Sequence, residues 1–240
     1  MSFLYHTIIY VPLYNGLIFL MQILSFIDVG VAVVLFTIIV KLILFPLSYK
    51  SVKTQASMKK LEPELNALKL KYESDKQEQA KQIMAFYKEK EVNPFSGFFL
   101  ILIQLPIIFA LYSIFLRSGL PKINIDILYP FVHAPSFVNM KFLGLIDISK
   151  KSIVLSLCAA VSQFFQIRYS MPKPAALPDG TKQSFKDDLA RSMSFQMRYI
   201  MPVVVFFISY GISAAVALYW SVSNLFMIAQ EVYVRSKIKR

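Results

Sequence analysis

The chain has 240 residues, of which 56% are hydrophobic, 15% aromatic and only 17% charged. Soluble domains usually carry about 45–50% apolar and about 25% charged residues, and a chain of this length encloses too little volume to bury the excess. A water-soluble globule, a disordered chain and, with 7 Gly and 12 Pro, a collagen-like fibre are excluded, and an integral membrane protein is expected. The net charge of +12 reads as the Lys/Arg excess of cytoplasmic loops, with no specific DNA partner implied.

In chain order, residues 7–27 form an uncharged apolar run interrupted by Pro12, Asn15 and Gly16. Scattered Tyr10, Tyr14, Asn15, Gln22 and Ser25 suit an interfacial amphipathic helix, with a sixth span as the alternative. No basic residue precedes this run, so a cleaved signal is not expected. Residues 29–47 are long and apolar enough to cross a bilayer, apart from Lys41. In the next segment, 49–93, Met58, Leu61, Leu65 and Leu68 recur at three- and four-residue steps, and Ile83, Met84, Phe86 and Tyr87 follow a Glu-Ser-Asp break. That spacing predicts two amphipathic helices joined near 73–75, a helical hairpin in water.

Further spans are expected at 95–116, 153–169, 199–210 and 213–234, the last two forming a tight hairpin at a Tyr-Gly-Ile-Ser joint. Residues 117–151 hold Pro121, Pro130 and Pro135 with room for a short surface helix, and 171–196 read as a polar, flexible loop. Segments 49–93, 168–198 and 235–240 contain 20 basic residues, against five in 117–151. Five spans put the three rich segments on one side, which predicts the N-terminus outside and the C-terminus inside.

Lys41 is the anomaly within the spans. Counted along a straight helix from Leu47, it lies about 9 Å inside the membrane, where an ammonium costs about 2.5–3.5 kcal/mol unless it snorkels to water or finds a partner. Thr37 lies one turn before it on the same face. Gln104 in the second span, Ser162, Gln163 and Gln166 in the third, and Ser213, Trp220, Ser223, Asn224, Gln230 and Glu231 in the last add polar groups to four of five spans. Singly each suits interhelical packing; together they predict a wet, basic cavity attractive to acidic or polar peptide. No carboxylate lies mid-membrane to neutralise Lys41.

Catalytic signatures are missing. There is no Ser/His/Asp set, HExxH or phosphate-cradling Gly-rich loop, so neither an enzyme nor ATP hydrolysis is expected. His6 and His133 lack metal-ligand spacing, and Cys158 reads as a small packing residue, so no metal or cofactor is expected.

Several strings occur in an order found in one family. They are Thr37-Ile-Ile-Val-Lys-Leu-Ile-Leu-Phe-Pro-Leu47, Met84-Ala-Phe-Tyr-Lys88, Asn93-Pro-Phe-Ser-Gly97, Leu102-Ile-Gln-Leu-Pro-Ile-Ile-Phe-Ala-Leu-Tyr112, Met201-Pro202 and Leu218-Tyr-Trp-Ser-Val-Ser-Asn224. Over nearly its whole length the chain resembles the YidC family of membrane protein insertases, relatives of the Oxa and Alb proteins, in the short form without a large outer domain. The resemblance implies an all-α polytopic protein of the bacterial plasma membrane. Five transmembrane helices would surround a hydrophilic groove open to cytosol and lipid, with an N-terminal amphipathic interfacial helix and a cytosolic helical hairpin.

The expected organisation is an interfacial helix at 1–27, a first span at 28–48, the hairpin at 49–93, a second span at 94–116 and an outer loop at 117–151. A third span at 152–170, a cytosolic loop at 171–197, paired spans at 198–234 and a basic tail at 235–240 complete it. The family's groove cation is usually arginine; Lys41 keeps the charge without the planar fork. Thr37, Lys41, Gln104, Gln163, Gln166, Tyr219, Trp220, Ser223 and Asn224 are the expected groove residues. Lys59, Lys60, Lys69, Lys71, Arg235, Lys237, Lys239 and Arg240 are the expected docking residues for ribosome or chaperone. Nascent membrane proteins, the ribosome, the Sec translocon and anionic lipids are the implied partners. The rival expectations are a small-solute transporter or channel with an anion site at Lys41, and an assembly factor for a larger translocon.

Overall fold

The structure, a computed structural model, describes residues 3–24, 26–93, 96–117, 120–170 and 192–238. The loop expected at 171–196 falls mostly outside the described residues. The fold is all-α, with one two-stranded hairpin as its only sheet among the described residues.

Eight helices carry the architecture among the described residues. α1 (Phe3–Ile23) contains a wider π-turn at His6–Tyr10. α2 (Val29–Ile43) starts at Asp28, whose Oδ1 accepts from the Val31 N–H at 2.9 Å and so satisfies one of the orphan donors of the first turn. α3 (Phe45–Lys71) follows after Leu44 at an angle of 69° to α2. Pro46 accounts for the bend, since it has no N–H to donate and its ring collides with the carbonyl four residues earlier. α4 (Lys76–Glu89) is capped by Asp75, which accepts from the N–H groups of Gln77 and Glu78 at 3.0 Å. α5 (Ser96–Tyr112), α6 (Ile153–Ser170), α7 (Ser192–Ile212) and α8 (Ala214–Ile238) complete the set.

By length and apolarity, α1 and α7 can each cross a membrane, and the bent pair α2–α3 makes a third candidate. The protein is therefore polytopic. In α1 the polar positions that suggest an interfacial face are turned inward: Tyr10, Tyr14 and Asn15 are buried. Asn15 accepts from the Tyr129 N–H and donates to the Ile127 carbonyl, while the Tyr14 hydroxyl accepts from the Asn124 N–H. The outward side of α1 is apolar, with Phe3, Leu4, Ile8 and Ile23 exposed.

The core joins α1, α2, α5, α6 and α8 through residues such as Leu17, Val33, Leu111, Ala159 and Ala217. Small residues at the start of α8, Ala214 to Ala217, let its backbone lie close to its neighbours. α7 and α8 are joined through Ser213 in extended conformation, yet each packs mainly on α6. At the other end of the chain's long polar segment, α3 and α4 form a hairpin held by Lys90–Glu64 at 2.8 Å and by Gln79 Nε2 donating to the Lys69 carbonyl.

The connection 120–152 caps the end where α2, α6 and α8 begin. Its β1 (Lys141–Phe142) and β2 (Ile146–Asp147) pair antiparallel. The Ala214 and Ala215 N–H groups donate to the carbonyls of Lys150 and Ile148, and the Val29 N–H donates to the Asn139 carbonyl. A short 3₁₀ turn occupies Ile125–Ile127.

Candidate functional site

α8 supplies the spine of the site, because residues three and four apart share a helix face. Tyr219 and Ser223 lie on one such row, and Trp220 and Asn224 on the next.

The first cluster crosses three helices. Lys41, in the last turn of α2, donates from Nζ to Gln104 Oε1 on α5 at 2.9 Å. Gln104 Nε2 donates to the Tyr219 hydroxyl on α8 at 2.6 Å, and Ser223 is also hydrogen-bonded to that hydroxyl. Lys41 is only 8% exposed, and it forms no salt bridge among the described residues. The cation expected to stand unpaired therefore has a neutral amide partner. Its depth also needs revising: the bend at Leu44 takes residues 45–47 off the α2 axis, so the straight count from Leu47 does not apply. Thr37, one turn earlier, donates to the Val33 carbonyl of its own helix at 2.6 Å.

A second cluster runs between α6 and α8. Trp220 Nε1 donates to Gln163 Oε1 at 3.0 Å, Gln163 Nε2 to Gln166 Oε1 at 3.2 Å, and Gln166 Nε2 to Ser170 Oγ at 3.0 Å. Ser170 then donates to Glu231, whose carboxylate is clasped by Arg235 at 2.7 Å. Arg235 also donates to the Tyr169 carbonyl. Closer to the core, Asn224 Nδ2 donates to Ser162 Oγ at 3.1 Å. On the α3 side, Gln230 Nε2 donates to Ser48 Oγ at 2.8 Å.

The structure thus groups Lys41, Gln104, Tyr219 and Ser223, and separately Gln163, Gln166 and Trp220. Asn224 sits beside Ser162 and outside both groups. Of the expected docking residues, Lys60, Lys69, Lys71 and Lys237 are exposed, whereas Arg235 is committed to α6. Lys59 is half-buried; that burial, with Arg235 nearby, lowers its pKa from the ordinary lysine value. Lys239 and Arg240 lie outside the described residues.

Sequence reasoning placed Gln230 and Glu231 on the polar stripe but missed Ser48 and the role of Arg235. The four-residue spacing of Glu231 and Arg235 is the signal that could have found the clasp.

Residues 19–240 match the family described as 60Kd inner membrane protein. The chain belongs to that family. A relative named membrane protein insertase YidC from Fusobacterium nucleatum is 31% identical over 208 residues, 87% of this chain and 86% of that protein. A second of that name from Clostridium tetani is 30% identical, covering 86% and 81%. A third from Methylobacillus flagellatus is 30% identical over 88% of this chain but only 33% of its own length. Family membership agrees with the strings around Lys41, Gln104 and Trp220, which all lie within the matched residues.

Proposed function

We propose that this chain is a membrane protein insertase that works through the polar seam between α2, α5, α6 and α8. The observation that carries the reading is the Lys41–Gln104–Tyr219 cluster, in a chain whose relatives bear that function in their names. A buried ammonium held by a neutral amide is poised for a better acceptor, since a carboxylate adds the direct attraction of opposite charges, which is strongest where little water intervenes. A carboxylate on the polar flank of an incoming segment takes the place of Gln104 Oε1. The remaining polar groups of α6 and α8 lower the cost of carrying that flank into hydrocarbon.

The apolar part of the segment then partitions into lipid, and its burial supplies the driving force without ATP hydrolysis. In this reading α1 lies at the outer interface, five spans cross the membrane, and the α3–α4 hairpin faces the cytosol with the C-terminus. Exposed Lys60, Lys69, Lys71 and Lys237 offer the docking charge for a ribosome, with Sec as a neighbour in the membrane.

The test is insertion of a single-span substrate with an acidic tail into vesicles containing only this protein. Lys41→Ala is expected to lower insertion at least tenfold for the acidic tail and little for a neutral one. Equal insertion of both substrates by the variant refutes the role of the ammonium. Passage of small anions without any nascent chain would instead indicate a channel.

A further inference from the structure

The β1–β2 hairpin ends in an unusual turn. Leu143 and Gly144 both adopt left-handed backbone conformations, with φ of 50° and 74°. Glycine does so freely, but a leucine there brings its Cβ against the backbone and costs free energy. Asparagine or aspartate is the ordinary choice at the first position of such a turn.

Side-chain packing within the protein does not offset that cost. Leu143 is 65% exposed and Leu145 85% exposed, and a methyl added at Gly144 would meet nothing within 4 Å. The hairpin is nevertheless held firmly. Asp28 Oδ2 accepts from the Leu143 N–H at 3.0 Å while its other oxygen caps α2, Phe142 lies against Gly30, and Ile148 is fully buried. Two leucines are therefore presented outward on a rigid mount.

The mount sits where α2, α6 and α8 begin, at the boundary of the apolar bundle. Phe26, two residues before Asp28, is 84% exposed, and Ile153 and Val154 start the exposed apolar side of α6 directly after the loop. Lys141, Lys150 and Lys151 are interleaved with these residues; Lys150 also pairs with Asp147 at 3.6 Å, and Lys151 lies over the Tyr210 ring. An apolar tip continuous with a lipid-facing helix and flanked by ammonium groups matches the acyl–headgroup boundary of a bilayer.

We propose that the Leu143–Leu145 turn is a lipid anchor, inserted into the leaflet at this end of the bundle, with the neighbouring lysines at the phosphates. The inference needs only a membrane-embedded chain and stands apart from the insertase reading.

The test uses the full chain in phosphatidylglycerol/phosphatidylethanolamine vesicles. An environment-sensitive fluorophore is attached at Leu145→Cys in a Cys158→Ser background, since Cys158 is the sole cysteine. Blue-shifted emission, quenched at least threefold more by shallow spin-labelled lipid than a probe at Ser136→Cys, is expected. Water-like emission with no such quenching overturns the anchor, as does a blue shift that vanishes on dilution of protein in lipid, which would indicate a second copy. A second measurement covers a labelled variant that fails to fold: Leu145→Ser, with the strained Leu143 left in place, should speed hydrogen exchange of the hairpin amides severalfold in vesicles. Unchanged exchange in that variant also overturns it.

Discussion

Replacing Gln104 by leucine removes the partner of a buried cation without touching the cation. In the structure it leaves the Lys41 ammonium, 8% exposed, facing an apolar side chain, and takes away the 2.6 Å donor of the Tyr219 hydroxyl. An unsatisfied buried polar group costs about 1–3 kcal/mol, and more when charged, so a loss of about 3 kcal/mol is expected. Lys41→Met acts in the opposite direction. It removes the desolvated charge along with the bond, and should leave stability within about 1 kcal/mol of the parent or raise it. Polar pairs between helices in bilayers average about 0.6 and reach about 1.7 kcal/mol, because the unfolded chain in the membrane also finds partners. The coupling between Lys41 and Gln104 should therefore be about 1–2 kcal/mol. A double-mutant cycle, read by reversible unfolding in bicelles, measures it. In the Lys41→Met background Gln104→Leu should cost about 1–2 kcal/mol less than in the parent. An equal cost in both backgrounds would refute the interaction.

Other outcomes follow from the same geometry. A Cβ on Gly30 would overlap Phe142 at the Cβ and at the ring's attachment, so Gly30→Ala should cost about 1–3 kcal/mol in the same unfolding assay. Glu231→Gln leaves Arg235, partly exposed, without its carboxylate; a loss of about 2 kcal/mol and faster tryptic cleavage after Arg235 are expected. The Ser149 hydroxyl, donating to Asp147 at 2.6 Å, holds that carboxyl below its ordinary pKa. Its contribution is complete above the ordinary carboxylate value and is lost as pH falls through the depressed one. Ser149→Ala should move loosening of this turn to higher pH, as followed by amide exchange.

Much of the fold was legible because composition and periodicity act locally. Apolar excess required a membrane, and three- and four-residue steps specified helices on both sides of residues 72–75. Lys41 stood out because an isolated cation in an apolar run is conspicuous wherever the chain goes. Its partner was not legible: Gln104 lies 63 residues away, and any of several glutamines had the same chemistry. Nor could the pattern show that α7 and α8, adjacent in sequence, would both lean on α6, or that Tyr14 and Asn15 would spend their polarity on a loop more than a hundred residues distant. Pairing of that kind depends on which helix faces meet, and packing decides it: hydropathy assigns a residue to the membrane, but only the neighbours decide what it touches there.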